Sequence, residues 1–393
     1  MLMTPGLGFF YGGLVRRKNV LSTVMHSFFI LCLISVQWVL WGYSLAFGPD
    51  YKGLGLIGDL SWIGLNGVGL APDPDYAATI PHQAYMVFQM MFAVITPALI
   101  TGAFAERKRF KAFVVFSLLW ATLVYDPIAH WVWGHGGWLG KLGALDFAGG
   151  TVVHISSGVS ALVAAYVLGK RMTHAEGEAV EPHDLPMVVL GAALLWFGWF
   201  GFNAGSALAA NGLATSAFVN TNTAAAMGAL TWMTIHWAHK GTPSVAGATA
   251  GAVAGLVAIT PAAGYVTPAA SILIGLIVSI VCYGATLLRD VMKVDDALDV
   301  WAVHGVGGTV GALCTGLFAT TAINAGAANG LFYGNPKQLW IQTIAVAASW
   351  IYSAVMTFII LKLVNVIIPL RVTEKEEAMG LDVSQHAEVA YIT

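Results

Sequence analysis

The stretch DFAGGTVVHISSG (146–158) places an aspartate eight residues ahead of a histidine and surrounds the ring with valine, isoleucine and small residues. It has a counterpart in DALDVWAVHGVGG (296–308), where Asp296, His304 and Gly308 repeat the spacing of Asp146, His154 and Gly158. Ionisable groups are expensive in a bilayer, and those that occur face a cavity or a partner and mark a pathway. Whether these two stretches lie in membrane helices, and in what relation, decides the fold.

The composition around them answers the first question. The chain is 58% hydrophobic and 10% charged, whereas soluble domains carry about 25% charged residues. Apolar runs recur along most of its length, long enough to cross a hydrocarbon core of ~30 Å. They read as eleven segments, at about 1–14, 20–47, 79–104, 112–130, 147–169, 185–206, 214–238, 244–262, 266–290, 297–319 and 337–366. Strands are excluded because the runs are too long and do not alternate. The expectation is an all-α, multi-pass protein of the cell membrane with the bilayer as its solvent. No basic stripe for nucleic acid is present, and the short cluster Arg16-Arg17-Lys18 is not one. Cys32, Cys282 and Cys314 stand alone in apolar segments, without metal-ligand spacing, and read as packing residues.

All Lys and Arg except Lys52, Lys141 and Lys337 fall in the loops after odd-numbered segments, at the ends of segments 9 and 11 that lead out of the membrane on that side, or in the tail. The positive-inside rule puts those loops in the cytoplasm, the amino terminus outside and the carboxyl terminus inside. Segment 1 offers fourteen residues before Arg16, a rise of only ~21 Å. The expectation is that the first helix is truncated, with a stunted helix as the alternative.

The two histidine stretches lie five segments apart, so the second copy inserts upside down. Residues 1–169 (segments 1–5) and 185–319 (segments 6–10) then form two inverted-topology halves. The eleventh helix, 337–366, and a cytoplasmic tail, 370–393, follow. Inverted repeats place a transport site at the midplane between the halves. Eight residues of helix span ~12 Å, which leaves His154 and His304 within ~6 Å in depth in a core ~30 Å thick. The rings can then touch, share one N–H···N bond and turn their outer nitrogens to a pore. Two separate histidines, each bonded locally, are the alternative. Asp146 and Asp296 sit where an N-cap is needed, and a structural or an electrostatic role is open for Asp146.

Further stretches carry a resemblance: PGLGFFYGGLVRRKN (5–19), GWFGFNAGS (198–206), ITPAAGY (259–265), DDALDVWAVHGVGG (295–308) and GLDVSQHAEVAY (380–391). Together with residues 146–158 they resemble, in order along the whole chain, the ammonium transporters of the Amt/Mep/Rh superfamily, bacterial or archaeal Amt branch. The resemblance implies eleven helices in two inverted halves and a homotrimer with a pore through each subunit. It implies an outer ammonium-binding site at Phe88, Trp133 and Ser206, with Trp138 as the alternative tryptophan. A stacked phenyl gate at Phe92 and Phe202, pore histidines His154 and His304, and Thr260 in the pore lining also follow from it. So does a tail that couples to a PII-type signalling protein. It implies no cofactor and no metal, and a transporter rather than an enzyme.

The mechanism expected on that basis is recruitment of ammonium, loss of its proton near the phenyl gate, and passage of ammonia by the His pair. The proton travels in parallel or stays behind. An ammonium sensor acting through a separate partner, and an Rh-like ammonia or carbon dioxide channel, are the rival readings. The short tail speaks against a sensor with an attached signalling domain. His236 and His239 have helical spacing but no nearby carboxylate, and GLGLIG (53–58) lacks a strand-turn-helix setting; neither carries a site.

Overall fold

The structure is a computed structural model and describes residues 1–175, 177 and 181–392; Thr393, the last residue of the expected tail, lies outside the described residues. Helical rods occupy each apolar segment: α1 (Met3–Leu14), α2 (Arg17–Phe47), α3 (His82–Phe104), α4 (Phe110–Leu142), α5 (Gly150–Leu168), α6 (Leu185–Ala207), α7 (Gly212–Lys240), α8 (Val245–Ile259), α9 (Pro268–Met292), α10 (Trp301–Phe318) and α11 (Pro336–Ile367). Eight of these, all but α1, α7 and α8, are long and apolar enough to cross a membrane. The first and last of the three exceptions are short. The middle one is 29 residues long but carries Thr, Asn and His along its length.

Boundaries moved where local chemistry demanded. Residues Ala77–Pro81 form a strand paired with Pro72–Asp73 rather than the start of α3. The fifth helix begins at Gly150 because Gly149 takes φ +112°, a turn a side chain would oppose, before the backbone can enter the helix. Among the described residues four π-helical turns interrupt the rods, at Trp38–Gly42, Ala121–Tyr125, Gly150–Ile155 and Trp301–Val306. Such turns are rare and often mark functional sites.

The bundle is inside-out relative to a soluble domain. Phe28, Val36, Leu40, Ile280, Leu287, Ile351, Val355 and Leu363 are exposed, while Gln37, Asp126, His154, Asn220, His304 and Gln342 are buried. Small residues let helices approach closely, the usual packing device in lipid. Helices α1 and α6 meet in this way: a Cβ on Gly191 of α6 would lie 2.3 Å from Phe10 N of α1, and one on Gly6 would lie 2.9 Å from Leu194 Cβ.

The basic face is not merely solvated charge. Arg107 and Lys108 are fully buried. The Arg107 guanidinium donates to the carbonyls of Ala103, Ala105, Gly169 and Asp295, closing the end of α3. The Lys108 amine sits 4.1 Å from the Phe104 ring and 3.9 Å from that of Phe116. Burial pushes the Glu106 carboxyl up, but Arg171 and Arg16, both 3.1 Å away, outweigh it and hold it below the usual range.

The tail is folded onto this face. A capping box between Thr373 and Glu376 starts α12 (Glu374–Met379), and α13 (Leu381–His386) follows. Two body helices, α2 and α4, lack an N-cap side chain of their own and receive one from the tail. Asp382 Oδ1 accepts from Ser22 N at 2.8 Å and Gln385 Oε1 from Phe110 N at 3.2 Å, while Glu377 Oε1 accepts from Met172 N at 2.7 Å in the segment after α5.

Candidate functional site

The site starts from the two aspartates. Asp146 accepts from the amides of Gly149 (2.8 Å), Gly150 (2.6 Å), Thr151 (2.8 Å) and Val152 (3.3 Å), and from the Thr151 hydroxyl. Both its oxygens are spent on the free N–H groups of α5, which is the cap role. Asp296 Oδ2 accepts from Trp301 N at 2.7 Å and opens α10 in the same way. Each cap is followed by a π-helical turn that contains the histidine.

The two turns cross at contact distance, and the contact is reciprocal. Gly158, four residues after His154, lies on Gly305, one residue after the other histidine. A Cβ there would stand 2.0 Å from Gly305 N. Gly308, four residues after His304, lies on His154 and Ile155, where a Cβ would stand 2.9 Å from His154 Cβ. The rings meet: Nδ1 of His154 and Nδ1 of His304 are 3.2 Å apart, so one donates to the other. Both are buried, and His154 Nε2 has no partner.

Rings continue the line away from the pair. Trp199 stacks on His154 at 5.4 Å and 21°. Phe202 stands 6.1 Å from His154 and 4.3 Å from Phe92, with an interplanar angle of 31°. Phe88 and Trp133 set their edges against Phe92 at 4.9 and 5.6 Å. Trp133 Nε1 donates to Asp146 O at 2.8 Å, so the cap residue also orients the tryptophan. Ser206 Oγ donates to Phe202 O at 2.9 Å, which leaves its lone pairs free to accept.

These residues separate three spaces. The first is a vestibule of about 400 Å³ walled by Phe88, Phe92, Trp133 and Ser206, with Tyr85 and Gln89 beside them. The second is a gap of about 10 Å³ between Phe202 and the His pair, closed by Met3, Leu7, Phe10, Ile95 and Trp199. That is about the room of one water molecule. The third is a vestibule of about 380 Å³ with His304 in its wall, together with Arg289, Asp290 and Asp299.

The structure therefore brings Phe88, Phe92, Trp133, Ser206, Phe202, His154 and His304 onto one line. Trp138 instead packs on Trp131 at 5.8 Å, outside that vestibule's wall. Thr260 is placed differently from the expected pore lining. Its hydroxyl accepts from Trp199 Nε1 at 2.9 Å and donates to Leu256 O at 2.7 Å, so it sits behind the tryptophan and holds it. Trp199 and Gln89 were missed as site residues. Gln89 Nε2 donates to Tyr85 OH at 3.1 Å, while its Oε1 is buried without a partner beside the first vestibule. Trp199 lay within the quoted run GWFGFNAGS (198–206), but nothing in the chain pairs it with a histidine 45 positions away. Among the described residues no group of three or more His, Cys, Asp or Glu is placed to hold a metal ion.

The fold and this line of cavities define a multi-pass membrane protein with a small apolar gap lying between two larger, partly polar vestibules. Comparison with known proteins narrows the class. The profile of the Ammonium Transporter Family matches residues 1–391, and the chain belongs to that family. It is 58% identical over 391 residues to an ammonium transporter of Bacillus subtilis (strain 168), covering 99% of this chain and 95% of that one. It is 50% identical to the ammonium transporter Amt1 of Archaeoglobus fulgidus, covering 100% and 96%. The crystal structure of Saccharomyces cerevisiae Mep2 superposes with a TM-score of 0.89 at 40% identity, over 95% of this chain and 84% of that one. A sensor Amt protein superposes with a TM-score of 0.88 at 31% identity, over 98% and 95%. The chain is thus a multi-pass protein of the cell membrane.

Proposed function

We propose that this protein carries ammonium across the cell membrane by recruiting the cation, taking its proton and conducting ammonia. The observation that carries the reading is the file of three spaces: an aromatic vestibule, a gap the size of one water, and a His pair opening on a second vestibule. Phe88, Trp133 and Ser206 offer ring faces and a hydroxyl lone pair, which suit a small cation with N–H donors. The Phe92–Phe202 stack and the gap beneath it supply no oxygens to replace an ion's water, so a metal cation pays the full cost of desolvation. Ammonium escapes that cost by giving up its proton, which either passes to water in the first vestibule or crosses separately along the His pair. The neutral molecule then meets His154 and His304, whose one shared N–H···N bond leaves the outer nitrogens to the passage.

The reading includes eleven membrane-spanning helices, 1–169 and 185–319 as inverted halves, the amino terminus outside and the tail in the cytoplasm. The reciprocal contacts of Gly158 and Gly308 and the distribution of Lys and Arg support it. By likeness to the family the chain assembles as a homotrimer and answers to a PII-type partner at the basic face. The test is uptake of labelled methylammonium by cells that lack their own transporter. The wild-type protein restores uptake, and Trp133→Leu lowers it by about tenfold at low substrate, the loss of roughly 1–2 kcal/mol of cation–π attraction. No uptake by the wild-type chain would favour the second reading, an ammonium sensor, for which the likeness to a sensor Amt protein speaks.

A further inference from the structure

Two π-helical turns serve the His pair, and two more flank a second buried pair. Trp38–Gly42 follows Gln37 in α2, and Ala121–Tyr125 precedes Asp126 in α4. The two side chains meet inside the bundle, where Gln37 Nε2 donates to Asp126 Oδ2 at 2.9 Å. Gln37 is 1% exposed and Asp126 is fully buried. The amide folds back along its own helix, and a Cβ on Gly42 would lie 2.6 Å from both its nitrogen and its oxygen. Turns of this kind often mark functional sites, and an ionisable residue at membrane depth calls for a partner.

Asp126 has no cation for that partner. Among the described residues it makes no ion pair. Its second oxygen, Oδ1, is buried without a donor, and so is Gln37 Oε1. Thr122 does not supply one. Its hydroxyl accepts from Trp41 Nε1 at 3.1 Å and from Gln37 Nε2 at 3.3 Å, and donates to Leu118 O at 3.0 Å. A hydrogen-bonded acid and amide that each keep one empty acceptor are short of one proton. Placed on Oδ1, that proton gives an O–H that donates to Gln37 Oε1, while the Gln37 N–H donates to Oδ2. The ring so closed satisfies both buried acceptors and leaves no charge in the apolar interior.

We propose that Asp126 and Gln37 form an intramembrane proton-holding site, an acid–amide ring that fixes the α4 segment carrying Trp133 against α2. Asp126–Trp133 is one α-helical stretch, and its two ends lie two turns apart on one face. Between them, His130 Nδ1 stands 3.0 Å from Ala46 O and its Nε2 3.2 Å from Asp50 Oδ1, so α2 and the loop after it grip the stretch at two levels. Beside Gln37, Trp38 sets its edge against Tyr125 at 6.0 Å and donates from Nε1 to Met86 O at 3.2 Å, two residues before Phe88 in α3. The junction thus stands behind the walls that present Trp133 and Phe88. Asp126 is a positioning residue and does not line the vestibule. Its effect through Trp133 rests on the proposed ammonium site; the proton does not.

The experiment is infrared difference spectroscopy of the full-length protein in lipid at neutral pH, wild type minus Asp126→Asn, with methylammonium uptake measured on the same variants. The wild type shows the C=O stretch of a protonated carboxylic acid, and the variant lacks it. Gln37→Leu keeps the band but moves it to higher frequency, because the acid has lost its hydrogen-bond partner. In Asp126→Asn the new amide donates to Gln37 Oε1 as the acid did, so KM stays within about twofold of the wild type. Asp126→Ala leaves the Gln37 amide unpaired and raises KM roughly fivefold with the maximum rate little changed. No acid band in the wild type overturns the proposal, since the site would then hold a carboxylate or a bound cation. So does a band unmoved by Gln37→Leu in a folded protein. A normal KM in a folded Asp126→Ala protein overturns the positioning role. Absent uptake by the wild type with the acid band present strikes the ammonium reading and supports the proton site.

Discussion

Gly158→Ala tests whether the crossing of α5 and α10 is what sets the His pair. The added Cβ would lie 2.0 Å from Gly305 N, and ordinary contact begins near 3.4 Å. The neighbour is backbone and cannot rotate away, so the two turns must separate by about 1.4 Å. Carried rigidly to the rings, that opening takes the Nδ1–Nδ1 distance from 3.2 Å to about 4.6 Å, beyond any hydrogen bond. Overpacking of this kind costs about 1–3 kcal/mol. Methylammonium uptake should fall by at least tenfold while the protein still reaches the membrane, and the melting temperature in detergent should drop. Gly284→Ala on α9 is the control, because a Cβ there meets nothing within 4 Å. Normal uptake by a folded Gly158→Ala protein would refute the argument that this contact sets the pair.

Other outcomes follow from the same geometry. Thr260→Val keeps the shape but removes the acceptor for Trp199 Nε1, so stability should fall by about 1–3 kcal/mol, read by thermal denaturation in detergent. Asp382→Ala removes the cap the tail lends to α2 and should cost about 0.5–2 kcal/mol, read the same way. Burial alone would raise the Asp295 carboxyl, but Arg171 and Arg107 hold it down to about 2. Its folded value lies below the unfolded ~3.9, so its contribution of roughly 2 kcal/mol is complete above pH 4 and is lost as pH falls through about 2. Asp295→Asn should therefore melt earlier at pH 7 and fall less steeply than the wild type between pH 4 and 2.

Much of the framework was legible because a membrane imposes simple rules. Run length marks the helices, and small residues mark close crossings. The Asp-x7-His-x3-Gly repeat pointed to both caps and to the meeting of the two rings, but not to the π-helical turns or to the crossing of the two glycines. Asp146, open between cap and electrostatic partner in sequence, accepts from five donors with its two oxygens, which is the geometry of a cap. Other features were not legible. Nothing in the run ERKRFK distinguishes Arg107 and Lys108, which are buried, from neighbouring charges that face water. The capping of α2 by Asp382 joins residues 360 positions apart, and no local pattern announces such a bond.

The sequence by itself determined which segments are apolar, that each histidine follows an aspartate cap by about two turns, and that glycine follows it by one. Those are local quantities, set by helix geometry and by the cost of polar groups in lipid. Only the tertiary structure decided that the rings touch through Nδ1, that Trp199 rather than Thr260 faces His154, and that the gap beneath Phe202 has the room of one water. These depend on how far apart two helices lie when Gly158 and Gly308 seat on their partners. That distance belongs to the packed bundle and is written in neither segment alone.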